Sequence, residues 1–279
     1  LTVDEALYQP FPIATDARGH IWRHAPATRR PRHFHAEPEL NLVTGGTGAF
    51  GMGEKVLPVV EGDLLWWPPG QDHVLLDASP DFDLFVIGVT ADFSARVLEG
   101  SLEVGCVGPI QIRLPAEELA EIKATCLAPG SASDVPAIES RIGAVWRKAH
   151  SLRRTANTMH VVTRRTMVSL YQSPDLPRSD VAQMIRAYPT EVSRYFREDM
   201  GTSLCTFRSR LRLLRFIESV DSGSSNLLSA ALGAGFGSYS QCHRVFRQTF
   251  GCTPRLFFET SVRDQMQHAF APWDPPRPG

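Results

Sequence analysis

Lysine is nearly absent: of 29 basic residues only Lys55, Lys123 and Lys148 are lysines, and none lies beyond residue 148. Any basic face in the C-terminal half is therefore built from arginine alone. Cysteine is sparse as well. Cys106, Cys126, Cys205, Cys242 and Cys252 are odd in number, scattered and without CxxC spacing, which argues against a disulfide framework or a zinc cluster and for reduced thiols in the cytoplasm. No apolar run approaches the roughly 18 residues that a membrane span needs. The chain opens with neither Met nor a charged-then-apolar leader, as expected of a processed or trimmed start.

What is present suffices for two ordinary domains with real cores: 279 residues, 43% of them hydrophobic. A formal net charge of −1 hides an asymmetry. Residues 1–153 carry 13 basic against 20 acidic side chains, and residues 154–262 carry 14 against 8. An acidic half joined to a basic half fits a regulator with a separate nucleic-acid-binding domain.

Residues 20 to about 90 read as strands, with "LNLVTG", "DLLWWP" and "FDLFVIGV" between Gly and Pro breaks, a pattern of sandwiches and barrels. From Phe93 to His150 the pattern turns helical. "PAEELAEIKATCL" starts at Pro115, residues 130–134 form a loop, and 137–150 gather Ile138, Ile142, Val145 and Trp146 on one face. From about Arg154 onward everything reads as helices, ending in a Pro-rich tail expected to be disordered.

Two C-terminal segments share a design. In 187–201, Val192, Tyr195 and Phe196 form an apolar stripe, leaving Thr190, Ser193, Arg194 and Arg197 outward. In 235–251, Cys242, Val245 and Phe246 point inward, leaving Tyr239, Ser240, Gln241, His243, Arg244 and Arg247 outward. Each ends at a glycine suited to a helix C-cap, Gly201 or Gly251, and each follows a short helix, roughly 179–186 and 226–233. Two helix-turn-helix units joined by a linker helix are implied.

These residues resemble the AraC/XylS family of transcriptional regulators over about 154–258, including Gly235-Phe236, the run Arg244-Val245-Phe246-Arg247, and F-G-x-T-P at 250–254. The resemblance implies that the second helix of each unit enters a major groove of double-stranded DNA. Thr190, Ser193 and Arg194 would then face base edges from the first unit, and Tyr239, Ser240, Gln241, His243 and Arg244 from the second. Arg194 and Arg244 suit bidentate guanine contacts, while Arg197, Arg247, Arg208, Arg210 and Arg212 suit phosphates or solvent. The first unit departs from the family pattern. Arg186 stands where Gly makes the turn and Tyr188 where Ser caps the helix, each at a cost of about 1 kcal/mol. Cys242 replaces an aromatic, and Phe258 stands where Arg is common.

The N-terminal half carries His33-x-His35-x3-Glu39-x6-Gly46 and Gly62-x5-Pro68-x-Gly70-x2-His73, followed by Asp77 where Asn is usual. Both motifs resemble those of a cupin barrel, the sensor fold common in such regulators. The resemblance implies that His33, His35, Glu39 and His73 converge, a set suited to Zn, Ni, Fe or Mn. The same residues with Trp66 are the expected effector pocket. Trp66 and Trp67 face opposite ways, so at most one lines it. Arg29, Arg30 and Arg32 would either close over an acidic effector or form a solvated arm.

The expected domains are a cupin-like sensor over 1–92, a helical middle segment over 93–153, a double helix-turn-helix over 154–262 and a tail over 263–279. The expected function is a cytoplasmic, homodimeric regulator answering to a small-molecule effector, with no membrane partner and no enzyme activity. The alternatives are a metal-sensing regulator and a metal-dependent cupin enzyme fused to a DNA-binding domain. Helix 137–150, and with it 115–127, would either pair subunits or pack on the barrel.

Overall fold

A computed structural model describes residues 7–11, 13, 17–24, 30–98, 107–128, 135–156, 159–224 and 226–259. The expected loop at 130–134, the tail, Cys106 and Arg29 lie outside the described residues.

Alternation builds the N-terminal half. Among the described residues ten strands form: β1 (Leu7–Tyr8), β2 (Gly19–His24), β3 (His33–Phe34), β4 (Glu39–Gly45), β5 (Thr47–Met52), β6 (Lys55–Val60), β7 (Asp63–Trp67), β8 (Val74–Ala78), β9 (Asp83–Val89) and β10 (Gln111–Arg113). A five-stranded antiparallel sheet runs β10-β7-β4-β9-β2, a three-stranded one runs β6-β5-β8, and β1 pairs with β3 in parallel. Leu40 and Leu42 of β4 share an outer cluster with Phe85, Ile87 and Val89 of β9, while Val43, Leu84 and Val86 belong to the inner one. Side chains of successive strand residues take opposite faces, and here both faces are covered, so the strands read as nearly unbroken apolar runs. Phe50 and Leu75 of the smaller sheet line the same cavity as Leu84 and Val86 of the larger. The sheets thus close around one interior.

Two features of the expected middle segment differ. Its only described helix before residue 111 is the short α1 (Ala91–Val97), and it then contributes β10, which extends the barrel sheet beside β7. The sensor's sheet therefore extends past the expected boundary at residue 92. Helices α2 (Ala116–Leu127) and α3 (Val135–Ala156) follow, and α3 runs across the expected boundary at 153. Its stripe of Ile138, Ile142, Val145, Trp146 and Ala149 packs on the outer face of the sheet, against Leu40, Leu64, Trp66 and Ile87. The surface offered for subunit pairing is thus used within the chain. Near its end, buried Arg153 donates to Pro109 O at 2.7 Å and Gly108 O at 2.9 Å while lying over the Trp66 ring.

The C-terminal half is helical: α4 (Val161–Gln172), α5 (Arg178–Ile185), α6 (Pro189–Met200), α7 (Leu204–Asp221), α8 (Leu227–Gly233), α9 (Tyr239–Phe250) and α10 (Pro254–Glu259). Phe196 and Phe207 meet edge to face, as do Phe216 and Phe246, so the linker helix α7 carries both units on one aromatic core. The cores of the two halves are continuous. Tyr8 contacts Phe34 of the barrel and Phe250 and Phe257 of the second unit, with centroids 5.5–6.3 Å apart.

Replacing Trp146 by Ala removes a fully buried indole that also donates to Ser94 Oγ at 3.0 Å. We expect a loss of about 3–5 kcal/mol in sensor stability by denaturant titration. Weaker subunit association at unchanged stability would instead assign this face to pairing.

Candidate sensor site and nucleic-acid interface

His33 leads β3, and its backbone exchanges two hydrogen bonds with His73, at 3.1 and 2.9 Å. That bridge brings the two halves of the motif together. His35 follows on the same segment, and Glu39 opens β4 on its inward-facing side. One ligand atom from each of His33, His35, Glu39 and His73 lies within 4.8 Å of all the others, and all four residues are buried.

The hydrogen bonding fixes the imidazole tautomers. His33 Nδ1 lies 2.8 Å from Pro31 O, His35 Nδ1 2.7 Å from Glu37 O, and His73 Nδ1 3.3 Å from Gln71 O. A carbonyl only accepts, so each Nδ1 carries a hydrogen, and each Nε2 is left to offer its lone pair to an ion or to carry a second proton toward Glu39. His35 Nε2 and His73 Nε2 each lie 2.9 Å from Glu39 Oε2, and the His73 contact lacks hydrogen-bond alignment. Lone pairs thus crowd a carboxylate oxygen in a water-poor site. Only a positive centre, a proton or a metal ion, turns this crowding into attraction.

The surroundings hold the set in place. Asn41 donates to Glu39 Oε1 at 2.6 Å and accepts from Trp67 Nε1 at 2.7 Å. Trp67 stacks on His73, and Phe11 meets His35 edge on. Burial, with His73, His35 and Arg30 nearby, pushes the His33 pKa well below its usual value. Burial pushes the Glu39 carboxyl up, but His73 and His35, when they carry a proton on Nε2, outweigh it and hold the group well below the usual carboxylate range.

A cavity of about 40 Å³ adjoins the set, lined by Arg30, His24, His33, Glu39 and His73 with Asn41, Phe50, Leu75, Leu84 and Val86. Trp66 does not belong to it. Its ring lies on the outer face against Trp146, 4.5 Å between centroids, and Trp67 is the inward member of the pair. His35, covered by Phe11, belongs to the ligand set and not to the cavity wall. Arg32 points elsewhere, to Asp72.

In the C-terminal half, α6 and α9 bury Val192, Phe196 and Met200, and Cys242, Phe246 and Phe250. Thr190, Arg194 and Arg197 of α6 and Ser240, Arg244 and Arg247 of α9 are exposed, whereas Ser193, Tyr239, Gln241 and His243 are half-buried. A groove of about 630 Å³ beside α6 is lined by Arg178, Thr190, Ser193, Arg194, Arg197 and Arg208.

A family model described as an AraC-like ligand binding domain matches residues 18–157, and one described as a helix-turn-helix domain matches residues 181–260. The chain belongs to the AraC family. It joins a ligand-binding domain to a DNA-binding domain, the make-up of a ligand-responsive DNA-binding transcription regulator. It is similar in structure to ToxT from Vibrio cholerae, with 11% identity, 87% of this chain and 97% of that one covered, and a TM-score of 0.43. It is also similar to the C-terminal domain of AraT, a response regulator from Geobacillus stearothermophilus, with 17% identity, 40% and 88% coverage and a TM-score of 0.34. A shorter stretch is similar to oxalate decarboxylase from Bacillus subtilis, with 20% identity, 27% and 22% coverage and a TM-score of 0.24. No curated protein matches the chain in sequence. Among the described residues, no helix is long and apolar enough to cross a membrane.

In this AraC-family chain the two helix-turn-helix units are built unequally. The second turns at Gly235, with φ +91°, and Ser238 Oγ caps α9 by accepting from Gln241 N at 3.1 Å. Gln241 in turn accepts from Gly237 N at 2.9 Å, so its amide serves the turn as much as the outer face. In the first unit Arg186 takes the left-handed conformation at φ 57°, the one described non-glycine residue with positive φ, and Tyr188 gives α6 no side-chain cap. Glu191 compensates in part by accepting from Tyr188 N at 2.9 Å.

The linker arginines correct the expectation that they face phosphate or solvent. Arg208, Arg212 and Arg215 donate to backbone carbonyls of residues 171–176, and Arg210 pairs with buried Asp72 of the barrel. Arg197, likewise expected at phosphate, is held by Glu54 at the tip of the β5–β6 hairpin. At that tip Gly53 meets the helix C-cap Gly201. A Cβ on Gly53 would lie 2.1 Å from Gly201 O, and one on Gly201 would lie 2.2 Å from Met52 O. Glu54 N donates to Gly201 O at 2.7 Å, and Lys55 Nζ to Glu198 O at 2.9 Å. The partnership of Arg210 with Asp72 and the docking of the hairpin were missed from sequence because they act across the domain boundary.

Proposed function

We propose that the barrel senses a small-molecule effector and that its ligand state reaches DNA through the docking of the barrel on the first helix-turn-helix unit. The observation that carries this reading is the seat of Asp72, next in sequence to His73 and paired with Arg210 on the linker helix. A ligand that shifts His73 shifts Asp72, and with it the helix that spaces the two recognition helices. While Glu54 holds Arg197, that guanidinium is withheld from phosphate, so the docked form binds DNA less well. Effector binding then moves the population between docked and released forms. The output is occupancy of DNA and not turnover, so we assign no enzyme activity. We place the protein in the cytoplasm, acting as a homodimer on adjacent half-sites, with pairing surfaces other than the stripe on α3.

Thr190, Ser193 and Arg194, with Tyr239, Ser240, Gln241, His243 and Arg244, form the proposed base-reading set, and Arg197 and Arg247 meet phosphates once released. We expect Arg244→Ala to cost about 1–3 kcal/mol at one base position of a duplex selected from a random pool. An unchanged base preference would remove Arg244 from the set.

The docking itself is testable in effector-free protein. Exposed ion pairs contribute at most about 1 kcal/mol, so Glu54→Gln should tighten binding to the selected duplex by about two- to fivefold. Gly53→Ala drives a methyl into Gly201 O and should tighten it further. Weaker binding in both variants would show that the docked form is the DNA-binding one, and unchanged binding in both would remove docking from the control of DNA affinity.

A second reading, metal sensing, is favoured by the crowding of Nε2 lone pairs around Glu39. The donor chemistry fits a divalent ion held by His33, His35, Glu39 and His73, which supplies a Lewis-acidic point for an oxygen-bearing ligand. Elemental analysis of native protein should give near-stoichiometric metal, lost in the double variant His33→Ala/His35→Ala. Absence of metal from both would leave the barrel to an organic effector alone.

A further inference from the structure

A second groove, of about 630 Å³, lies between the barrel and the linker helix α7, and it shares no lining residue with the barrel cavity. Its floor is apolar, with buried Phe11 on the barrel side and buried Leu214 and Ile217 on α7. Tyr171 of α4 adds an aromatic wall, fixed by its hydroxyl, which donates to Pro69 O at 3.0 Å. Small-molecule sites have such floors and volumes of roughly 300–1,000 Å³.

The rim is acidic. Glu218 and Asp221, three residues apart on α7 and both exposed, line it from one side, and Glu37 lines it from the barrel. Arg215 also lines the groove and donates to Tyr171 O and Gln172 O. Three carboxylates against one guanidinium leave an excess of negative charge. Position sharpens that excess. Glu218 and Asp221 fall in the last turn of α7, at the negative end of the helix dipole, and that turn carries no basic residue. Helix C-termini favour cations, so two carboxylates there set the rim for a positively charged guest and against an anionic one.

The floor narrows the choice further. A hydrated metal ion would leave the apolar side chains wet, and a neutral apolar molecule would leave the carboxylates unused. An organic cation uses both, with its charge at the rim and its body against Phe11, Tyr171, Leu214 and Ile217, where aromatic faces add attraction for an ammonium group. We propose that this groove is a second ligand site, for an organic ammonium ion with an apolar body. The site stands independently of any metal in the barrel. Its guest bridges Phe11 and Glu37 to Glu218 and Asp221, and so ties the barrel to the linker helix. Phe11 also meets His35 edge on, so the groove and the sensor site share a side chain. The effect of the guest on DNA rests on the docking reading above: a guest that bridges the halves favours the docked form.

The test titrates the full chain calorimetrically with phenylbutylammonium, and in parallel with phenylbutanol, phenylbutyrate and ethylammonium. Phenylbutylammonium is expected to bind, and the other three to bind at least tenfold more weakly, since each lacks the charge, its sign or the apolar body. The double variant Glu218→Gln/Asp221→Asn changes two exposed side chains outside the core and should lose about tenfold in affinity for phenylbutylammonium. Equal affinity in parent and variant, or no binding to the parent, would overturn the site. Phenylbutanol or phenylbutyrate binding as tightly would overturn the charge assignment, and ethylammonium binding as tightly would remove the floor from recognition. The docking consequence is read separately, as weaker binding of the parent to the selected duplex when phenylbutylammonium is added, with no such loss in the double variant. Calorimetric binding without a change in DNA affinity would sink the docking reading and leave the site standing.

Discussion

The Asp72 carboxylate, 1% exposed, sits between Arg32 of the barrel and Arg210 of the linker helix, and also accepts from Gly53 N at 3.0 Å. Burial pushes its pKa up, but Arg210 and Arg32 outweigh that and hold it below the usual carboxylate range. A buried pair of this kind is a poor source of net stability, since desolvation offsets most of the attraction. It is an effective joint for another reason. Withdrawing Arg210 takes away one of the two cations on a buried carboxylate and leaves it to Arg32 and Gly53 N, so the position of the linker helix is tied to that of the hairpin and strand that hold Asp72. The hairpin tip, the glycine contact and Tyr171, whose hydroxyl donates to Pro69 O, all lie on the same joint.

That joint completes a helix which is poorly made by itself. The last carbonyls of any helix lack intrahelical donors. Those of α6 receive theirs from the barrel: Lys55 to Glu198 O, Gln71 to Met200 O, and Glu54 N to Gly201 O. At the other end α6 starts from a strained Arg186 and a Tyr188 without a cap. The second unit has a glycine turn and a serine cap, and its recognition helix meets the barrel through Phe250, which lies against Tyr8 and Phe34. The first unit is therefore the part of the DNA-binding domain whose order leans on the sensor, and the second is the part that stands by itself.

Residue types with short-range consequences were readable in the sequence. His33 and His35 alternate on one strand segment and Glu39 opens the next, so their convergence follows from strand periodicity once His73 is added by the second motif. The stripes Val192–Phe196 and Cys242–Phe246 gave the recognition helices for the same reason. Long-range choices were not readable. β10 is three residues long and owes its strand form to β7, with Arg113 pairing to Asp63. The amphipathic stripe of α3 specifies that something covers it, not whether that is the barrel or another subunit. Trp66 and Trp67 are equivalent in sequence, and only the covering of the outer face by Trp146 and Arg153 decides which turns inward.

The scarcity of lysine has a structural explanation that bears on DNA affinity. Arg215 reaches the last two carbonyls of α4, Arg212 two of the loop before α5, and Arg208 a further one, a task for a planar group with five donors that a single ammonium would do less well. The arginine excess of the C-terminal half is thus partly a packing device, and its formal charge overstates the field available to DNA. With Arg208, Arg210, Arg212 and Arg215 committed internally, the exposed cations on the recognition helices are Arg194, Arg197, Arg244 and Arg247. Each phosphate neutralised contributes about 0.9 to the salt slope of binding, so a small set makes affinity sensitive to every member. A sensor that withholds Arg197 alone therefore controls a sizeable share of the electrostatic attraction, without having to cover the rest of the DNA-binding face.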